Sequence, residues 1–422
     1  MTACAILFAI RKFGEKMIKA NGKKIICGMI KNNIYMNQRI ISDPKDLKRC
    51  SHCVMPETQE SISFNKDDVC STCGQIEVKH KVDWEARDKK FRELLAQYKG
   101  KGNYDCIVPF SGGKDSTFTV WKLVVDYGMK PLVVRFNHHL LRPKVLENAE
   151  KTIKRLGVGF LDFRADWQLI KKLMRVSLER KGDILWYQHT GIFSFPMHVA
   201  IKFDIPLIIW GEPSAEYDSY HDYDEEEEMD EKSFNTYVNL GITAEDMLGF
   251  LNDPNITMQD LWCYSYPKRA DLQKLGCRST FLGNYMPWDV KKQVEIIKRE
   301  LDWEGDEVEG VPPEYNYEKI EDMMRGVQDY LKFIKRGYGR MSHLASIDIR
   351  NGRLTREQAM KMVEEWEGKR PASLDVLLKW LNMSEDEFYN IVKPLAVSPW
   401  QHDPNKTAKG KELWDQPLWN KD

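Results

Sequence analysis

No stretch of this chain approaches the roughly 20 consecutive apolar residues that a membrane-spanning helix needs, so the sequence predicts no transmembrane segment. The apolar start, residues 3–10, precedes its basic residues, the reverse of a secretory signal. The sequence therefore reads as cytoplasmic. Charge excess is also missing. A net charge of −1 excludes a general nucleic-acid binder and leaves room only for a local basic patch. There is no internal repeat. The chain has no cysteine nucleophile suited to hydrolysing glutamine: position 2 is Thr2, and Leu275-Gly276-Cys277-Arg278 is not a Gly-x-Cys-x-Gly elbow. The spacing of a Walker loop is absent too, because no glycine stands four residues ahead of a Gly-Lys pair.

What is present is Ser111-Gly112-Gly113-Lys114-Asp115-Ser116, directly after the apolar run 104–110. After it, Phe118, Trp121 and Val125 fall on one helical face. The order is strand, Gly-rich loop, helix. Such a loop offers backbone N–H groups and a helix N-terminus to a phosphate group. The adjacent glycines let backbone approach the oxygens. Lys114 adds a cation, and Asp115 is a candidate Mg²⁺ ligand.

Nine cysteines are present, and four form one constellation: Cys50-x₂-Cys53, sixteen residues, then Cys70-x₂-Cys73. Two such knuckles supply a closed tetrathiolate set suited to structural Zn²⁺. An iron–sulfur cluster competes for the same ligands.

Along the chain, helix patterns over 84–98, 144–156, 166–181 and 193–203 alternate with strand patterns over 131–136, 160–163, 206–210 and 279–282. This predicts an α/β fold, a parallel sheet covered by helices on both faces. Its ligand edge would collect residues 111–116, Asn137-His138-His139 and Gly211-Glu212. Beyond residue 300 helix patterns dominate, near 317–335, 355–366, 373–382 and 384–393. The expected division is a basic extension over 1–47, a knuckle module over 48–82, an ATP-binding domain over 83–300 and a helical region over 301–422. The extension reads as a flexible arm, with a membrane-surface or partner-binding arm as the other reading. Residues 222–231 hold eight acids in ten positions and read as a solvated loop.

The loop resembles the PP-loop of ATP pyrophosphatases, which cleave ATP to AMP and pyrophosphate. With it, Cys50-Ser51-His52-Cys53-Val54-Met55-Pro56, His189-Thr190-Gly191-Ile192-Phe193-Ser194 and Phe281-Leu282-Gly283-Asn284-Tyr285-Met286-Pro287-Trp288-Asp289 resemble the N-acetyl sugar amidotransferase family of bacterial surface-polysaccharide and nonulosonic-acid biosynthesis. So do Gly337-Tyr338-Gly339-Arg340 and His343-Leu344-Ala345-Ser346-Ile347-Asp348-Ile349-Arg350. The resemblance runs from about 48 to 393. Gly211-Glu212-Pro213, Asn137-His138-His139 and the acidic run depart from the family pattern.

The resemblance implies an adenine-nucleotide α-hydrolase-like fold with a zinc-ribbon-like module, and an ATP- and Mg²⁺-dependent conversion of an acetamido group on a nucleotide-linked sugar to acetamidino. Ser111, Gly112, Gly113, Lys114, Asp115, Ser116, Phe136 and Gly211 would bind ATP. Lys114, Asp115 and Glu212 would act in catalysis. Tyr285, Trp288, Arg340, His343, Asp348 and Arg350 would hold the sugar nucleotide, a role that competes with core packing for the two aromatics and with an inter-domain ion network for the others. Ammonia would come from a separate glutaminase, similar to the paired amidotransferase and cyclase-like subunits of histidine biosynthesis. No stable nucleic acid is expected. A tRNA-thiolating enzyme with a basic face and a reactive cysteine, and a non-catalytic adenine-nucleotide module, are the other functional readings.

Overall fold

The computed structural model describes residues 47–59, 61–217, 223, 227–239 and 241–396. The basic extension, apart from Leu47, lies outside them, as do the polar tail and positions 222 and 224–226 of the acidic run.

Five strands, β1 (Cys106–Pro109), β2 (Pro131–Asn137), β3 (Gly159–Arg164), β4 (Leu207–Trp210) and β5 (Arg278–Phe281), form one parallel sheet in the order β3-β2-β1-β4-β5. Apolar side chains on both sides of each central strand explain why the sheet is buried twice over. Ile107, Leu132, Val134 and Ile208 enter one core; Cys106, Val108, Val133, Leu207 and Ile209 enter the other. The first core is closed chiefly by helices α5 (Trp167–Lys181), α6 (Trp186–Phe203), α10 (Arg325–Arg336) and α13 (Ser373–Leu381). The second is closed by α2 (Trp84–Ala96), α3 (Lys114–Val125), α4 (Pro143–Leu156), α9 (Val290–Leu301), α11 (Arg340–Arg350) and α12 (Arg356–Trp366). The remaining longer helices are α1 (Ser71–Lys81), α7 (Ala244–Leu251), α8 (Arg269–Leu275) and α14 (Glu385–Val392). The α/β class, the parallel sheet covered on both faces, the cysteine cluster ahead of it and the helical C-terminal region are all observed.

Local chemistry sets the helix ends. Pro143 opens α4 and Gly157, at φ +61°, closes it. Asp166 caps α5 by accepting from the Leu169 amide at 2.7 Å. Thr355 and Gln358 form a capping box on α12.

Three departures from the sequence reading matter. Helix α6 starts at Trp186, seven residues before the expected 193, and runs through Gly191. The Phe136 ring lies where a Cβ on Gly191 would stand, 2.4 Å from the nearest ring atom, so the glycine marks packing, not a break. The helix expected from 317 begins only at Arg325; before it, Lys319 adopts φ +53° and the chain runs as an irregular strap. Helices α1, α7, α8, α9 and α11 lie outside the expected helix patterns, although Val290, Val294, Ile297 and Leu301 carry helical spacing.

The knuckles do not stand apart. Val54 N–H donates to Ser346 Oγ at 3.3 Å, Arg49 Nη1 to Ser342 Oγ at 3.2 Å, and Arg356 Nε to the Cys53 carbonyl at 3.1 Å. Tyr338 is buried among the four cysteines. Helices α11 and α12 therefore form the floor of the cysteine module.

Candidate active site

The order β3-β2-β1-β4-β5 reverses direction between β1 and β4, the switch point beyond whose carboxyl ends sheets of this kind hold their ligands. The loop 111–116 leaves β1, Asn137-His138-His139 ends β2 and Gly211-Glu212 leaves β4, so all three expected segments lie at the carboxyl ends of the strands, the first and last of them at the switch point. Gly112 has φ +88°, and a Cβ on it would meet Val145 Cγ1 at 2.8 Å; no other residue type suits both constraints. Trp303 Nε1 donates to the Gly112 carbonyl at 3.1 Å and pins the loop from behind. Its amides are met by its own hydroxyls: Ser111 and Gly112 N–H donate to Ser116 Oγ at 3.2 and 3.3 Å, and Gly113 N–H to Ser111 Oγ at 3.2 Å.

Lys114 is 4 % exposed. Its ammonium lies 2.7 Å from Asp115 Oδ2 and 3.0 Å from Glu318 Oε1. Burial alone would lower its pKa, but Asp115, Glu318, Glu212 and Glu321 more than offset that and hold it well above the usual lysine value. Asp115 moves the other way, pushed up to about 6 by burial and then by the charge of Glu212, with Lys114 opposing. Its Oδ1 is buried and accepts no hydrogen bond. Glu212 keeps 37 % of its side chain exposed and lies 3.7 Å from Lys319 Nζ. Burial raises its pKa, but the Lys319 charge, a hydrogen bond with the Asp115 carboxyl and the Lys114 charge bring it below the usual glutamate range. Gly211 packs on the first two turns of α3, where a Cβ would meet Thr119 Oγ1 at 2.9 Å.

Glu318, Lys319 and Glu321 are the residues that sequence reasoning missed. A Cβ on Gly113 would meet Glu321 Oε2 at 2.6 Å, so the strap lays two carboxylates directly on the loop. The only signal was charge density in Glu318-Lys319-Ile320-Glu321, which reads equally well as a solvated helix face.

Other expected site residues are spread more widely. Phe136 lies in the core against Phe163, Phe195 and Tyr264. Tyr285 is buried and stacked on Phe91 with centroids 4.6 Å apart. Asp348 is buried in an ion network, accepting from Lys291 at 2.7 Å, Tyr315 at 2.6 Å and Arg353 at 3.3 Å. Arg340 and Arg325 share Asp329, at 3.3 and 3.0 Å. His343 Nε2 accepts from Lys332 Nζ at 2.6 Å. Burial, then Lys332, Arg350 and Arg325, keep that imidazole neutral far below its usual pKa. Arg325 and Lys319 act together on His189, whose pKa burial lowers. Trp288 and Arg350 line a separate cavity of about 500 Å³, with the α1 residues Lys79 and His80 on its wall.

At the cysteines, Cys50 Sγ lies 3.9 Å from Cys73 Sγ and Cys53 Sγ 3.8 Å from Cys70 Sγ, and all four are buried. The ligand atoms lie within 4.8 Å of one another. Amides of Cys53 and Cys70 point at Cys50 Sγ, at 3.4 and 3.2 Å. Four sulfurs about 2.3 Å from one ion stand about 3.8 Å apart in a regular tetrahedron, so the set is sized for a single ion.

Comparison with known proteins adds the following. The family model described as LPS biosynthesis protein WbpG-like, C-terminal domain, matches residues 312–413, a span that includes the strap and α11. The uncharacterized protein MJ1599 of Methanocaldococcus jannaschii is 29 % identical over 121 residues. That match takes in 28 % of this chain and 43 % of the relative, so the chain spans less than half of that protein's length. Among solved structures, NMN synthetase from Francisella tularensis superposes over 73 % of this chain and 97 % of its own, at 11 % identity and a TM-score of 0.30. U34-tRNA thiolase NcsA from Methanococcus maripaludis, with its [4Fe-4S] cluster, superposes over 83 % and 97 %, at 13 % identity and a TM-score of 0.26. The C-terminal region of this chain is thus similar to a domain named for lipopolysaccharide biosynthesis.

Proposed function

We propose that this protein is an ATP-dependent, AMP- and pyrophosphate-forming amidotransferase that converts an acetamido group on a nucleotide-linked sugar to acetamidino during lipopolysaccharide or related surface-polysaccharide synthesis. The observation that carries the reading is a buried, charged Lys114 on a Gly-rich loop at the switch point of the sheet, in a chain whose C-terminal region matches a lipopolysaccharide-biosynthesis domain.

An amide carbonyl is a poor electrophile and its oxygen a poor leaving group. The acetamido oxygen attacks the α-phosphorus, the α–β phosphoanhydride breaks, and pyrophosphate leaves. Ammonia then adds to the O-adenylyl imidate carbon, the C–O bond breaks, AMP departs, and an amidine remains after a proton is lost. Lys114 and the amides of 111–113 hold the departing phosphates and neutralise the charge that grows on them. To do so, the amides exchange the Ser111 and Ser116 hydroxyls for phosphate oxygens. The buried Asp115 carboxyl beside Glu212 suits a divalent cation. Those two residues would hold Mg²⁺, which supplies charge neutralisation at the phosphates. The tetrathiolate would hold Zn²⁺ in a structural role.

The ammonia is supplied from outside, by a partner glutaminase. Among the described cysteines outside the knuckles, burial raises the thiol pKa of Cys106, of Cys263 to about 12 and of Cys277 to about 11. None is poised as a thiolate nucleophile, which also favours this reading over tRNA thiolation.

The test is turnover of a nucleotide-linked diacetamido sugar with ATP, Mg²⁺ and ammonium. The expected product has one carbonyl oxygen replaced by NH and carries a new positive charge. Glutamine alone should give none. Failure of every acetamido sugar, with sulfur gained by tRNA instead, overturns the reading.

A further inference from the structure

The cavity beside α1 is a second site, separate from the loop. Four basic residues (Lys79, His80, Lys292 and Arg350) and two acids (Glu216 and Asp289) line it. Both acids are already engaged. Glu216 accepts from Lys79 Nζ at 2.7 Å and from the Tyr223 hydroxyl. Asp289 takes both its oxygens to Arg353 Nη2, at 2.6 and 2.7 Å. Lys292 keeps 78 % of its side chain exposed, lies 3.7 Å from Asp289, and stands in the first turn of α9, whose dipole adds to its charge. Arg350 spends Nη2 on the Glu216 carbonyl at 3.0 Å. The cavity is therefore a cationic recess. One wall is aromatic: the half-buried Trp84 lies edge-on to Tyr223, with centroids 6.1 Å apart. A volume of about 500 Å³ is of ligand size.

Position gives the recess a purpose. Ala215 and Glu216 on its rim belong to the helical turn Ser214–Tyr217 that follows Glu212. Trp288 on its back wall packs toward Gly211, where a Cβ would meet Trp288 Cη2 at 3.5 Å. One layer of side chains separates the recess from the carboxyl end of β4.

We propose that this cavity binds the nucleotide of the acceptor substrate. Lys292, His80 and Arg350 face its phosphates, and Trp84 lies against its ring. The inference rests on the function proposed above only for what that nucleotide carries. It gives α1 of the cysteine module a direct role as a wall of the site.

The experiment is calorimetric titration of the full chain with UDP and with CMP, without ATP. Wild type should bind one of them in the micromolar to millimolar range. The double reversal His80→Glu/Lys292→Glu, at two exposed positions, should weaken binding at least tenfold with an unchanged melting temperature. The single variants should each lose part of it, and Lys114→Gln should leave it intact. No binding of either nucleotide, binding indifferent to the charge reversals, or binding lost with Lys114→Gln would each overturn the site. The two proposals fail separately. A chain that binds UDP in this cavity but forms no amidine keeps the site and loses the function. A double variant that turns over an acetamido sugar at wild-type KM keeps the function and loses the site.

Discussion

Asp115 and Glu318 illustrate how the candidate site works at the scale of single side chains. Asp115 is held up at about pKa 6 by burial and by Glu212. A folded-state pKa above the ordinary value means that the carboxyl takes up its proton as pH falls through about 6, and the neutral form is a poor cation ligand. The expected outcome is a kcat/KM for MgATP that falls about tenfold per pH unit below 6, with the break moved to lower pH at saturating Mg²⁺. Asp115→Asn should abolish the break along with most of the activity. A flat profile down to pH 5 would contradict the assignment. Glu318 competes with phosphate for Lys114, 3.0 Å away. Glu318→Gln should therefore tighten binding of Mg²⁺-free pyrophosphate about fivefold, equivalent to about 1 kcal/mol, as measured by titration. Weaker binding would show that Glu318 helps the ligand instead of opposing it. Neither effect was readable from the sequence. Asp115 was legible as a loop carboxylate, but its raised pKa depends on Glu212 nearly a hundred residues away, and Glu318 looked like one charge among several.

At the scale of elements, the sequence was most informative where one physical rule acted alone. The central strands β1, β2 and β4 read clearly because burial on both faces makes them largely apolar runs, and α4 and α5 read clearly because Pro143, Gly157 and Asp166 mark their ends. The reading lost ground where tertiary packing overrode local preference. Gly191 sits inside α6 because Phe136 needs the space, and the strap before α10 stays irregular with Glu318 paired to Lys114. The loop itself gives a sharp prediction. Gly112→Ala places a Cβ at φ +88° and 2.8 Å from Val145, so it should destabilise the protein by about 1–3 kcal/mol through backbone strain alone and also displace the amides that meet phosphate. Thermal melting and pyrophosphate binding read the two effects separately. An unchanged melting temperature would mean that the loop backbone is less constrained than the structure has it.

At the scale of the whole molecule, the cysteine module, the sheet and the C-terminal region are locked together. Arg49, Val54 and Arg356 join the knuckles to α11 and α12, while the strap joins the C-terminal region to the loop. Protein purified without added metal should carry about one zinc per chain and no inorganic sulfide, as a closed tetrathiolate set sized for one ion requires. Cys70→Ser should lower the melting temperature and remove hydrogen-exchange protection from α11 and α12, not only from the knuckles. Stoichiometric iron and sulfide would contradict the single-ion geometry. The spacing of the cysteines was plain in the sequence; their floor was not, because nothing local ties residue 49 to residue 342.

The central claim is that the acetamido oxygen becomes bonded to the α-phosphorus of ATP. The measurement that tests it most directly follows that atom. A nucleotide-linked sugar labelled with ¹⁸O in its acetamido carbonyl is turned over with ATP, Mg²⁺ and ammonium, and the products are weighed by mass spectrometry. The account predicts one ¹⁸O in the phosphate of AMP for each amidine formed, unlabelled pyrophosphate, and no labelled AMP from Lys114→Gln. Release of ADP and phosphate, or AMP formed without the label while the sugar is consumed, would contradict it.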